Sequence, residues 1–560
     1  MKSQSILQQV TANILLTESW IRIAAQASGL RSFGRKLESD IDRALSNGSI
    51  GADAPMLPHS AKSPSRILPQ WGTTMRLLNR EQLVSHGNRL GREKMVEILE
   101  AGLEAADPYY NTKKMFRVEE NRLYIGNPDF EADHDPQAGV DCYDLREIEN
   151  IYIAGAGKGS QRVAKAIEEI LGDRLTGGEL ICKYGDEEVV HKVHVTYASH
   201  PVPDENSVVG ARRILALSRK VTEKDLVITV IANGGSALLT LPYDEIPLED
   251  ARRIVQYMQI EKGAKTIDLN AIRNHIDQMK GGRISRAFAK AQLIHLIVAD
   301  ANHHQIEEPR RDYDYIMHHN NWLHNLPDGT TFADAVQALK KYDAWDGCPE
   351  SIRNFLLKAD PECETVKYEE FTKMRFRVFG IMPEKFHFIS AAKQKAQELG
   401  FHAVILSEAI DIEASQAGRV GGSVALAIEK NDEPVKAPAV LISTGEMTVT
   451  VENFSGVGGR NQEYVLAAAE KIQGSERIVM ASLDTDGTDG PGGLKIPGAP
   501  VCLGGGITDG DTIKELQEQG IDIKEVLRNH DTSEALWKIH CGCRVEQNIS
   551  MNDLTVIMVL

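Results

Sequence analysis

Short apolar runs alternate with helix-spaced runs from about residue 149 onward, and this alternation limits the possible folds more than any other feature of the chain. Runs at 149–155, 178–183, 191–198, 225–232 and 293–299 read as strands, and the apolar spacing at 159–171, 206–220, 248–262 and 269–290 reads as helices. Strands joined by helices run parallel, because each crossover returns the chain to the same end of the sheet. A polar stretch at 301–330 breaks the rhythm, and helices follow at 331–342 and 350–358. A second block opens near 374 with the strand "RFRVFGI". It continues through helix 384–399, strand "HAVILS", helix 413–429, strands "AVLIST" and "TVTVEN", helix 460–473 and strand "RIVMASLD", and closes on "LTVIMVL". The expected class is α/β: two Rossmann-like α/β domains with an active-site cleft between them, since ligands in such folds sit beyond the carboxyl ends of the strands. The expected divisions are a helical extension and linker over 1–89, a first α/β domain over 90–365 and a second over 366–560.

A chain of 560 residues is too long for one core, which agrees with this division. The net charge of −17 argues against a nucleic-acid surface, which needs basic stripes, but not against a small anionic substrate held by a local cluster. Seven scattered cysteines, an odd number, suit a reducing compartment, so a cytoplasmic protein is expected. Cys541 and Cys543 read as free thiols, because no second Cys/His pair lies at zinc-site spacing. No apolar run reaches membrane-spanning length, so no membrane partner is expected. Residues 1–45 form an amphipathic helical arm or a targeting presequence, and 46–75 are rich in Ser, Pro and Gly, as linkers are.

The chemistry-bearing residues sit where strands end. In "IYIAGAGKGSQRVA" a strand runs into Gly155 and Gly157, and Lys158 follows at the start of a helix. A cation is disfavoured at a helix N-terminus unless an anion joins it, so the arrangement suits phosphate or carboxylate; the alternative is a solvated first-turn lysine. It is neither a P-loop nor a dinucleotide fingerprint. "VIANGGSALL" repeats the theme with Asn233, Gly234, Gly235 and Ser236, where backbone N–H groups and two side chains reach a ligand or merely close a turn. In "LNAIRNHIDQMKGGR" Arg273 and Lys280 share a helix face and suit an anion clamp, against the blander reading of Arg273 paired with Asp277. In "SGVGGRNQEY" Arg460 and Asn461 open another helix after a glycine loop. In "SLDTDGTDGPGG" Asp484, Asp486 and Asp489 cluster at a strand end, a set that suits Mg²⁺ and a general base, or an Asp/Gly-rich surface turn.

Six segments in order, "GAGKGSQRVA", "SHPVPDENS", "ANGGSALLTLP", "LNAIRNHIDQMKGGRIS", "GGRNQEYVLAAA" and "DTDGTDGPGG", resemble the glycerate 2-kinase family, the class II glycerate kinases with a MOFRL-type C-terminal domain. The resemblance covers roughly 90–560. It implies a kinase that takes ATP with Mg²⁺ and phosphorylates a hydroxyl of glycerate or a related hydroxy acid. Lys158 matches the family's first-domain lysine and Arg460 its second-domain arginine. Asn233 and Ser236 match the glycine-loop ligands, and Asp486 and Asp489 the acidic loop that holds metal or accepts a proton. The catalytic set is therefore Lys158, Arg460, Asp486 and Asp489. The substrate and phosphate contacts are Gly155, Gly157, Asn233, Gly234, Gly235, Ser236, Arg273, Lys280 and Asn461. A homodimer is left open.

Two segments depart from the family pattern. The Ser-Gly-Pro-Thr loop expected after Asp300 is replaced by a segment holding His303, His304, His318, His319 and His324 with Arg310 and Arg311, which suits a larger or more anionic substrate ahead of a metal. Near the C-terminus "CGCRVEQNISMND" stands for a small-residue loop, with only Asn552 and Asp553 aligned. These losses leave two rivals to the kinase: a lyase, isomerase or reductase step on the same scaffold, or a ligand-binding protein without turnover.

Overall fold

The strand runs of both blocks become two six-stranded sheets in the computed structural model, which describes residues 76–298, 312–380, 388–451, 456–546 and 552–560. These residues belong to one compact unit. The expected arm and linker over 1–75 lie outside the described residues.

A short helical turn over Arg80–Leu83 precedes helix α1 (Arg89–Ala106), and three short antiparallel strands come after it, β1 (Phe116–Glu119), β2 (Arg122–Ile125) and β3 (Asp141–Asp144). The first large sheet holds β4 (Ile151–Ala156), β5 (Gly177–Lys183), β6 (Val193–Ala198), β7 (Leu226–Ala232), β8 (Gln292–Val298) and β9 (Arg375–Gly380). All are parallel, in the order β6-β5-β4-β7-β8-β9. Every residue of β7 is buried, as expected of a central parallel strand covered on both faces. The chain leaves β4 toward one edge and returns on β7 toward the other. Their carboxyl ends therefore flank the switch point where open α/β sheets bind ligands. Helix α2 (Ser160–Leu171) follows β4, and α3 (Thr266–His275) lies in a helical layer with its own apolar core.

The second sheet holds β10 (His402–Ile410), β11 (Ala439–Gly445), β12 (Ile478–Asp484), β13 (Gly505–Asp509), β14 (Gly542–Cys543) and β15 (Asp553–Val559), in the order β10-β11-β15-β12-β13-β14. Only β10 and β11 pair in parallel; β15 inserts between β11 and β12, antiparallel to both. Helices α4 (Phe388–Glu398) and α5 (Arg460–Ile472) cover its faces.

The two-lobed α/β architecture matches the expectation, and four local readings differ. Strand β9 pairs with β8 and completes the first sheet, so the first lobe extends past the expected boundary at 366. Helix α1 packs on α4 and the second sheet, so among the described residues the path runs from the second lobe into the first at Asp107. The expected helix over 269–290 is broken after His275, where left-handed Gly281 and Gly282 turn the chain under Thr365 and Val366. The described part of "TVTVEN", 448–451, forms only an isolated bridge, Thr448 to Glu413.

Candidate active site

The first glycine turn exists because two strands approach closely. A Cβ on Gly155 would lie 1.8 Å from the Val230 carbonyl oxygen of β7, and one on Gly157 (φ +128°) would lie 2.5 Å from that of Ala232. Their expected place among the ligand contacts gives way to this packing role: neighbouring backbone fills the space. The Gly157 N–H donates to the Ile181 carbonyl at 3.0 Å, and the Lys158 N–H to the Asn233 carbonyl at 2.8 Å. The turns after β4 and β7 are thus tied together. Gly234, left-handed at φ +83°, lies against the His200 ring and the stem of Lys158.

Lys158 reaches across to the second lobe. Its Nζ donates to Asp486 Oδ2 at 2.5 Å. Burial works against the ammonium, but Asp486 and Asp484 outweigh it and hold its pKa above the usual value. Asp486 Oδ1 accepts from the Thr488 N–H at 2.9 Å and from its hydroxyl at 2.6 Å. Burial pushes the Asp486 carboxyl up, yet Lys158 and Lys183 hold it below its ordinary range.

Arg460 anchors the opposite side of the same cluster. Its Nε and Nη2 grip Asp553 at 2.7 and 2.9 Å, Nη2 also donates to Asp484 at 2.9 Å, and Nη1 lies 3.5 Å from Glu446. This fork can be held because β15 lies beside β12, placing Asp553 opposite Asp484 in register. Burial, then the like charges of Asp486 and Asp553, raise the Asp484 carboxyl well above its ordinary value despite Arg460 and Lys158. Burial likewise lifts Asp553 to about 6.

Asp489 does different work from its expected metal role. Its two oxygens accept from the N–H groups of Asn461 and Gln462 at 3.2 and 3.0 Å, so it closes the N-terminus of α5 and fixes Arg460. Asn461, an expected substrate contact, is fully buried and donates to Asp489 and Asp553. The hard-oxygen set that fits Mg²⁺ is Asp484 with Asp486, where a divalent cation would relieve the crowding of like charges.

Arg273 lies on α3 and Lys280 past its end, yet both line one small cavity. Lys280 is buried and donates to Asp277 Oδ2 at 2.6 Å and Thr240 Oγ1 at 2.9 Å. Asp277 is thereby occupied, and the expected Arg273–Asp277 pair does not form. Ser236 lies in the same pocket as Arg273, 2.8 Å from the buried Nε2 of His324.

Three further residues join the site without an assigned role in the sequence: His200 from the segment "SHPVPDENS", Asp186, and Asp553 near the C-terminus. His200 is held neutral by burial and by Lys158 and Lys183, its pKa pushed down to about 4. Asp186 is lifted to about 6 by burial, against Lys183. Asp553 is separated from Arg460 by 93 positions, and only the pairing of β15 brings them together. In the replaced histidine segment, His303 and His304 lie outside the described residues, while His318 meets the Tyr368 ring and His319 stacks on Tyr315. Among the described residues the one group of three metal-ligating side chains whose ligand atoms lie within 4.8 Å of one another is His86, Glu515 and Cys541, and there the Arg92 guanidinium already donates to Cys541 Sγ at 3.3 Å.

Comparison with known proteins bears on the family and the fold. A profile described as a domain of unknown function (DUF4147) matches residues 94–309, and that of the MOFRL family matches 439–550. The chain is 33% identical to a glycerate 2-kinase of Pyrococcus horikoshii, over 80% of this chain and 92% of that one. It is 33% identical to a D-glycerate 2-kinase of Thermotoga maritima over 70% and 86%. The crystal structure of a Thermotoga maritima glycerate kinase superposes with a TM-score of 0.64 at 29% identity, over 84% of this chain and 99% of that one. With a third of its residues shared over nearly the whole of the archaeal protein, this chain belongs to the glycerate kinase family of phosphotransferases.

Proposed function

We propose that this protein is an ATP- and Mg²⁺-dependent kinase that phosphorylates a hydroxyl of glycerate or a closely related short hydroxy acid. The observation that carries the reading is the convergence of Lys158 and Arg460, from different sheets, on one carboxylate cluster. Phosphoryl transfer asks mainly for positioning and for neutralisation of charge on the moving group, and cations from both walls of a cleft supply that. Lys158 and Arg460 take the transferring phosphoryl group between them. Asp484 and Asp486 would hold Mg²⁺, which would supply neutralisation of phosphate charge. Asp553 and Asp489 keep Arg460 aimed. The hydroxyl proton leaves late in a loose transition state, so orientation of the acid matters more than base strength. Closure of the lobes on both substrates excludes water and limits ATP hydrolysis. All seven cysteines are free thiols, which supports a cytoplasmic setting, and no described helix is long and apolar enough to cross a membrane.

The test is ADP release with a panel of short hydroxy acids. D-Glycerate is expected to stimulate it in a Mg²⁺-dependent manner, and EDTA to abolish it. No stimulation by any acid would overturn the reading.

A further inference from the structure

Four charged side chains close a circuit where the chain passes from the second lobe to the first. Asp107 stands at the crossing and is fully buried. Its Oδ1 accepts from Arg162 Nε at 2.7 Å and its Oδ2 from Arg76 Nη2 at 2.5 Å, and Arg162 Nη2 donates to Oδ2 as well. The two guanidinium groups meet again at a second carboxylate. Arg162 Nη1 lies 3.4 Å from Glu546 Oε1, and Arg76 Nη1 donates to Glu546 Oε2. Cation and anion alternate around the circuit, so its charge balances.

The four residues come from different parts of the fold. Arg162 lies in the first turn of α2, four residues after Lys158. Asp107 caps the helix Pro108–Met115, its Oδ1 also accepting from the Tyr109 N–H at 2.9 Å. Arg76 and Glu546 belong to the second lobe. Leu77 pairs with Val545 in an antiparallel bridge, both lie in that lobe's apolar core, and the Glu546 N–H donates to the Arg76 carbonyl at 2.8 Å. The Arg162–Glu546 contact therefore runs from lobe to lobe, as Lys158–Asp486 does. Arg76 precedes the stretch that resembles the family, and Glu546 lies in the segment that replaces its C-terminal small-residue loop, so two of the four corners come from where this chain departs from the pattern.

Such a circuit resists being pulled apart. Arg76 is 1% exposed and Arg162 7%, and moving either lobe away strips a buried charge of its partner. Burial works against the Arg162 cation, but Asp107 and then Glu546 outweigh it. Lys158, by contrast, is tied by its N–H to Asn233 of its own lobe. It moves with the first sheet, so its distance from Asp486 is set by how α2 is seated on the second lobe.

We propose that Arg162 is a positioning residue for phosphoryl transfer: through Asp107 and Glu546 it fastens the start of α2 to the second lobe and so fixes Lys158 against Asp486. Its effect on turnover rests on the kinase reading. The fastening of the lobes does not.

Two measurements on the full chain test it. Spin labels at Lys220→Cys in the first lobe and Lys514→Cys in the second, both exposed positions, with the exposed Cys142 changed to Ser, report the interlobe distance by pulsed double electron resonance. One narrow distribution is expected in the parent, and a broader or shifted one in Arg162→Gln and in Glu546→Gln. Glu546 is the more exposed corner, so its variant covers the case of an Arg162→Gln protein that does not fold. In turnover well below the melting temperature, Glu546→Gln is expected to lower kcat about 10-fold with both KM values held within about 2-fold, as when a reacting group is displaced and binding is not. Arg162→Lys should retain more activity than Arg162→Gln. In the Lys158→Ala background Glu546→Gln should cost almost nothing further, because it acts through Lys158. A loss that adds in full to that of Lys158→Ala, an unchanged kcat in both variants, or unchanged interlobe distances in both would each overturn the positioning role. A wild type that releases no ADP with any acid, while the distances respond to Glu546→Gln, would sink the kinase reading and leave the fastening standing.

Discussion

Lys158 and Asp486 meet at 2.5 Å although one follows β4 of the first sheet and the other follows β12 of the second. Each holds the other's charge in place, and Lys183 adds a weaker bond to Thr488 at 3.4 Å from the same side. Lys158→Ala is therefore expected to lower kcat by about 10²- to 10³-fold, the scale for losing one preorganised charge-stabilising group. Steady-state kinetics, with melting temperature as a fold control, measure this. An unchanged kcat would remove Lys158 from the chemistry.

Asp489 separates a structural carboxylate from a metal-holding one. Because it accepts the first N–H groups of α5, Asp489→Ala is expected to destabilise the protein by about 1–3 kcal/mol, as when buried donors lose their acceptor. The Mg²⁺ concentration for half-maximal activity should barely move in Asp489→Ala and should rise in Asp486→Asn. Urea unfolding and Mg²⁺ titration check the two halves.

Gly155→Ala tests the packing account of the first glycine turn. The new methyl would collide with backbone of β7, which cannot swing aside as a side-chain tip can. Destabilisation above about 4 kcal/mol, or failure to accumulate soluble protein, is expected. Gly172→Ala is the contrasting control: its Cβ would meet nothing within 4 Å, so only its left-handed φ of +52° opposes the change.

His295 gives a pH signature of the first lobe. It is fully buried beside Thr229, 2.7 Å from its hydroxyl, and burial pushes its pKa down to about 3. The unfolded chain takes up a proton below about 6.5 while the folded chain does not until about 3, so stability falls as pH drops through that window. Between pH 7 and 5 this one residue is expected to remove about 2 kcal/mol, an amount missing in His295→Gln. Urea unfolding at the two pH values measures the difference.

Much of this site was legible from residue order because strand ends carry it. Lys158, Ser236 and Asp486 all follow apolar strand runs, and an α/β sheet gathers such ends at one edge. What could not be read was sheet order. Insertion of β15 between β11 and β12 decides that Asp553 holds Arg460, and no local pattern announces it. The glycines misled for a related reason: a turn that admits a ligand and one that admits a neighbouring strand use the same residue. Arg273 looked like half of an i,i+4 ion pair, but the chain leaves the helix after His275 and gives Asp277 to Lys280.

The central claim is that the Lys158–Arg460 cleft moves a phosphoryl group onto a hydroxy acid. Phosphorus NMR of the protein with ATP, Mg²⁺ and D-glycerate tests it most directly. The expected result is a phosphomonoester resonance that grows in step with ADP and is lost in Lys158→Ala. ATP that stays intact, or that yields only inorganic phosphate, would contradict the claim.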